Sequence, residues 1–283
     1  MKIYKDLISL RNILNLSQME LALELGLSFE TINKWEKENT DVDWQKAELF
    51  YEYAFKHDIC FNFIYENLWL EQLKDNEVLL FHAAKEDFQF PIDFMTHSRK
   101  YNDFGKAFYL RENLHQAQSY IASKKDGKIL SFKLDKTDLK IITFKVERDW
   151  MLTIAYFRGW LNKFENNKMV KELINKVENA DVIIAPIADN RMFDIISEYV
   201  TGTITDEQCI HSLAATNLGM QYVIKTQKAL DQLSLIKELY MSKSERARAK
   251  NKRMELAKTC MDKVSLARIE YKGKGKYIEE VFI

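Results

Sequence analysis

The residues of this 283-residue chain best suited to chemistry are dispersed over three predicted strands. His82 closes the first, in "EVLLFHAA". Tyr109 lies in "DFGKAFYL", just after Phe104-Gly105-Lys106, and Gln221 opens the last, in "GMQYVIKTQKAL". An imidazole, a phenol and an amide offer hydrogen bonds and one flat apolar ring face. Taken singly, each is more readily structural: a satisfied strand histidine, a core tyrosine, an edge glutamine. The ordinary catalytic signatures are absent. There is no phosphate-binding glycine loop, no HExxH and no GxSxG elbow. The five histidines (His57, His82, His97, His115, His211) lack zinc-ligand spacing, so no metal is expected.

The length exceeds one typical domain, so two compact units are expected. A hydrophobic content of 47% with 30% charged residues fits a globular, soluble chain. Formal net charge is zero, so any electrostatic partner must be recognised by a local patch. Cys60, Cys209 and Cys260 are widely separated and form no CxxC pair, which argues for a reducing compartment without disulfides. The N-terminus lacks a signal-peptide apolar core, and no apolar run approaches the roughly 18 residues of a membrane span. A cytoplasmic protein with no membrane partner is expected.

Stepping along the chain, residues 1–74 read as short helices with a helical connector. In "LSQMELALELGLSFETINKWEKE", Ser17 and Glu20 are spaced as a capping box. Gly26 ends that helix and Ser28 begins the next. This stretch resembles the Cro/C1 repressor type, or XRE family, of helix-turn-helix over roughly residues 3–60. The resemblance implies DNA recognition by Ser28, Phe29, Glu30, Asn33 and Lys34, with Gln18 near a phosphate and a homodimer reading two half-sites. Phe29 and Glu30 are unusual for such a role, and an acidic run "ENTDVDW" follows. A partner protein or sister subunit is the other occupant of this face.

From about residue 75 the texture changes. Strands are predicted at "EVLLFHAA", "GKILSFKLD", "LKIITFK", "DVIIAPIA" and "MQYVIKT", with helices such as "WMLTIAYFRGW" and "RMFDIISEYV" between them. The fold class expected is α+β: a small all-α domain, then a split β-sheet domain with surrounding helices over 75–240. A basic helical extension follows over 241–283. Its cluster Arg246, Arg248, Lys250, Lys252 and Arg253 reads as a solvated helix face more readily than as a nucleic-acid contact.

Together, "FHAAK", "DFGKAFYL", "ENLHQAQSY", "DWMLTIAYFRGW", "DVIIAPIADNRMFDIISEYVTGTIT" and "MQYVIKTQKALDQL" resemble a bacterial branch of the ADP-ribosyltransferase superfamily. The likeness is to its His-Tyr-Glu type, over about residues 77–237. That resemblance implies NAD as substrate, cleavage of the nicotinamide–ribose bond and an oxocarbenium-like transition state. It implies that His82 bonds the adenosine ribose and that Ala83, where relatives often carry glycine, holds the nicotinamide amide. Tyr109 would stack on the nicotinamide ring, and Gly105, beside Phe104, would allow close backbone approach. Arg99 and Lys106 are candidates for the pyrophosphate, and Arg158 could reach the same cleft.

Gln221 stands where the family carries its catalytic glutamate. The amide keeps a hydrogen bond but loses the charge, so poly(ADP-ribose) elongation is not expected, and Asp103 or Asp189 could supply the missing acid. Mono-ADP-ribosyl transfer by a toxin or phage-defence effector, with a small antitoxin-like partner, is the leading expectation. The alternatives are an NAD glycohydrolase and a catalytically silent NAD-sensing regulator.

Overall fold

The computed structural model describes residues 1–91, 93, 98, 101–124, 127–216 and 218–283. Five helices open the chain: α1 (Tyr4–Leu14), α2 (Gln18–Leu25), α3 (Phe29–Trp35), α4 (Trp44–Lys56) and α5 (Phe61–Leu70). Local chemistry sets their ends. Ser17 and Glu20 close the expected capping box on α2, and Gly26 ends it at φ 65°. Ser28 caps α3 by accepting from the Thr31 amide, and Asp43 caps α4 in the same way through Gln45. Leu7, Leu10, Leu21, Ile32, Trp35 and Phe50 bury the facing stripes in one core.

The remainder is α+β. Its strands are β1 (Glu77–Lys85), β2 (Phe108–Arg111), β3 (Gly127–Asp135), β4 (Ile141–Thr143), β5 (Val182–Pro186), β6 (Met220–Ile224) and β7 (Leu233–Leu239). They form one mixed sheet in the order β4-β5-β6-β2-β1-β3-β7, in which only the β4–β5 pair is parallel. Two sequence expectations change here. His82 does not close β1, which runs three residues further, to Lys85. Gln221 does not open its strand but is the second residue of β6, after Met220, and β6 is not the last strand, because β7 follows it.

The sheet is nearly two sheets. β1 and β3 pair along nine residues, and β2 and β6 along all four of β2, whereas β1 and β2 meet at the single pair Phe81–Arg111. One face carries an apolar layer across that seam, including Leu80, Phe108, Leu130, Val182 and Ile224. On the other face the core is divided. Around Ile183, Ala185 and Val223 it is closed by α7 (Arg148–Phe157), α8 (Lys168–Glu178), α9 (Asn190–Val200) and α10 (Asp206–Ala214). Around Leu79, Phe81 and Ile129 it is closed by α6 (Leu114–Ile121).

The short α11 (Gln227–Asp231) leads into β7, and α12 (Lys243–Glu270) then spans 28 residues, about 42 Å at 1.5 Å per residue. It packs on α4, α6 and α10, and a final turn, α13 (Ile278–Val281), completes the chain. Among the described residues no helix is long and apolar enough to cross a membrane.

Buried polar contacts tie the opening helices to the sheet. The Asp6 carboxylate accepts from the Tyr51 hydroxyl at 2.6 Å and from the Tyr65 hydroxyl, and it lies 3.8 Å from Lys237 Nζ on β7. Nearby, the buried Glu245 of α12 accepts from Cys60, Asn62 and the Ser242 amide; burial pushes the Glu245 carboxyl up and the Cys60 thiol to about 12. Arg246 bonds Glu48 on α4. Part of the expected solvated basic face is thus a docking contact. Removing Asp6 would leave Lys237 and two buried hydroxyls without their acceptor. Asp6→Ala is therefore expected to lower the unfolding free energy by about 3 kcal/mol, read from urea denaturation midpoints.

Candidate functional site at the seam

His82, Tyr109 and Gln221 lie on three adjacent strands, β1, β2 and β6. The row Phe81–Arg111–Gln221 crosses all three, one residue from His82 and two from Tyr109. Antiparallel register puts Tyr109, Arg111 and Gln221 on the face covered by the α7–α10 helices. His82 belongs to the opposite face with Leu80 and Ala84, its ring 4.5 Å from that of Phe108 and 5.0 Å from that of Phe88.

The seam explains what His82 does locally. Beyond the single β1–β2 pair the strands part, and the Tyr109 carbonyl takes the His82 ring as partner, with Nδ1 at 2.8 Å. A carbonyl only accepts, so Nδ1 carries the proton and Nε2 is left as an acceptor. Burial, with Arg111 nearby, pushes the imidazole down to about 4, and the bond to Tyr109 only partly offsets that.

Tyr109 closes a tight loop. Its hydroxyl donates to the Gly105 carbonyl at 2.7 Å and accepts from the Phe104 amide at 3.1 Å. Burial, reinforced by the Asp103 charge, raises its phenol. Gly105 sits at φ 73°, and an added Cβ would meet the Phe157 ring at 3.0 Å, so the glycine admits a side chain of its own protein. Ser98 Oγ accepts from the Asn102 amide group and the Ala107 amide, and Lys225 Nζ donates to the Phe104 carbonyl at 2.9 Å. Burial pushes the Lys225 ammonium down.

Asp103 is the polar centre. It is buried, with one oxygen accepting from Arg158 at 3.0 Å and the other from Gln221 Nε2 at 3.2 Å. Gln221 Nε2 also donates to the Pro186 carbonyl at 3.1 Å. The Arg158 guanidinium lies flat over Phe193, 3.3 Å from its centroid, and its buried Nε has no partner in the structure.

The other expected residues are placed as follows. Ala83 is half-buried on β1, opposite Ile129, and Lys106 is exposed on the loop before β2. Arg99 lies outside the described residues. Asp189 caps α9, accepting from the Arg191 and Met192 amides and pairing with Arg191 at 2.6 Å. In the opening helices Gln18 donates to Glu36 at 2.5 Å and accepts from Asn33, while Arg11 grips the same Glu36. Ser28, Phe29, Glu30 and Lys34 are exposed. Residues 1–74 hold thirteen carboxylates against eight lysines and arginines, so this region is net acidic. Arg111 was not singled out by the sequence. Its place beside Gln221 follows only from the register.

Residues 78–235, from the second residue of β1 to the third of β7, match the family described as "Protein of unknown function (DUF3990)". The chain belongs to that family. The DUF3990 region contains all of the seam, from His82 to Gln221, and excludes the five opening helices and α12. No curated protein and no solved structure matches the chain. Among the described residues no cluster of histidine, cysteine or acid side chains could hold a metal ion.

The His82 environment has a pH signature. Its folded value lies below the ordinary 6.5, so the unfolded chain binds the proton more readily. Stability present above pH 6.5 is lost as pH falls toward 4, by up to about 3 kcal/mol from this group. His82→Gln, which can keep a donor to Tyr109, is expected to flatten that dependence in denaturation midpoints between pH 4.5 and 7.

Proposed function

We propose that the DUF3990 region binds NAD, breaks its nicotinamide–ribose bond and passes ADP-ribose to an acceptor. The observation that carries this is that His82, Tyr109 and Gln221, distant in sequence, stand on three adjacent strands at the seam, His82 on one face and the other two on the opposite face. The residue types are those of the sequence resemblance, and the chemistry suits them. The C1′–N bond breaks with its electron pair leaving on nicotinamide. A lone pair of the acceptor then forms the new bond to C1′, and its proton goes to solvent.

On this reading His82 Nε2 accepts from a ribose hydroxyl, and the Tyr109 ring offers its face to nicotinamide. The carboxylate missing at position 221 stands beside it. Gln221 holds Asp103, whose charge favours a developing sugar cation in a water-poor setting. A glutamate at 221 would be repelled by Asp103 and could not donate to Pro186.

Incubation with NAD, following nicotinamide release and label on macromolecules, tests this. The parent is expected to release nicotinamide; His82→Ala and Asp103→Asn are each expected to slow release about 100-fold or more. Both variants releasing at the parent rate would remove the seam as the site. Free ADP-ribose without labelled macromolecule would identify water as the acceptor.

A second reading is favoured by one observation: the Gln221 amide nitrogen is engaged by its own chain, donating to Asp103 and Pro186. The domain would then bind NAD without cleaving it and inform the opening helices, giving a thermal shift with NAD and no nicotinamide. For those helices we favour a protein partner, either a second copy or a small neutralising protein, over DNA. Gln18 and Asn33 are engaged internally, the region is acidic, and Met19, Leu23 and Phe29 are exposed. DNA is repelled by such a charge balance. Salt-sensitive binding of a specific duplex by the full chain would overturn that preference.

A further inference from the structure

The seam holds more positive charge than its own carboxylate balances. Arg111 ends β2 in the row where the half-sheets meet, on the face of Tyr109 and Gln221. Among the described residues its guanidinium makes no ion pair. It lies 5.8 Å from the Tyr120 ring of α6 and feels the charge of Asp103 at longer range. Burial pushes it down from the usual arginine value.

Asp103 makes no hydrogen bond to it; its two oxygens accept from Arg158 and from Gln221. Arg158 is itself incompletely satisfied, since its buried Nε has no partner in the structure. On β1, His82 is neutral at ordinary pH and adds no charge. Two half-buried guanidinium groups therefore stand near one carboxylate. A half-buried cation without an ion-pair partner keeps guanidinium donors for an anion arriving from outside.

We propose that Arg111, assisted by Arg158, forms an oxyanion site at the seam that takes a phosphate or pyrophosphate group of a nucleotide. A guanidinium fork matches two phosphate oxygens at once and stays charged when dehydrated. The charge balance is independent of the NAD reading, which supplies only the source of the phosphate.

Thermal melting of the full chain with inorganic pyrophosphate, ADP-ribose, NAD and phosphate-free nicotinamide riboside tests the site. Pyrophosphate, ADP-ribose and NAD are expected to raise the melting temperature of the parent. Arg111→Gln is expected to melt no lower than the parent without ligand, since it loses an unpaired charge, and to bind each phosphate ligand about 10- to 100-fold more weakly. Arg111→Lys, which keeps the charge without the fork, should fall between them.

A parent unmoved by pyrophosphate and ADP-ribose overturns the proposal, and so does an Arg111→Gln variant shifted as much as the parent. Melting well below the parent in both Arg111→Gln and Arg111→Lys without ligand would make Arg111 structural and overturn it too. Binding of pyrophosphate through Arg111 without binding of NAD would uphold the oxyanion site and defeat the NAD reading. Equal binding of nicotinamide riboside and NAD would do the reverse.

Discussion

Everything proposed for this protein hangs on one backbone constraint: β1 and β2 are joined by a single residue pair. A full ladder there would satisfy the backbone but leave no opening between half-sheets. No ladder would separate the strands that carry His82 and Tyr109. With one pair, the Tyr109 carbonyl on the diverging side needs another partner, and the His82 ring supplies it. The halves stay together because the apolar layer of Leu80, Phe108, Leu130 and Ile224 runs unbroken beneath the junction. Hydrophobic burial thus holds what hydrogen bonding has released.

Around that junction the polar groups form a graded set. Asp103 is satisfied by two donors, Tyr109 is tied at both sides of its hydroxyl, and His82 is held neutral by burial. Arg158 is part-satisfied and Arg111 makes no ion pair among the described residues. Side chains that are fully engaged fix geometry, and those left short of partners store affinity for something external. This division separates framework from site more clearly than residue type does, because arginine and aspartate occur on both sides of it.

Much of the fold could be read from local chemistry. The caps at Ser17, Ser28 and Gly26 announce themselves by type and spacing, and "GKILSFKLD" coincides with β3 because its nearly continuous burial leaves a long apolar-rich run. β7 carries no clear sequence signal, because "LSLIKEL" is an edge strand whose middle is exposed and whose charged residues break the pattern. The site was legible in part. His82, Tyr109 and Gln221 stand in recognisable motifs, but the Asp103–Gln221 contact joins residues 118 apart and depends on the β2–β6 register. Arg111 reads as a routine charged strand end; only pairing places it beside Gln221 at the seam. The resemblance reserves the space above Gly105 for a ligand, whereas the Phe157 ring stands there.

The long helix α12 touches α4 near its start, α6 along its first half, as where Arg253 donates to the Ser119 carbonyl, and α10 further on. A single continuous helix is stiff over such a span. It therefore acts as a strut: the opening helices and α10 are held at a set separation, and a shift of one must be matched by the other. α10 in turn packs on α7, the helix that ends beside Arg158, so one run of packed helices joins the opening helices to the seam.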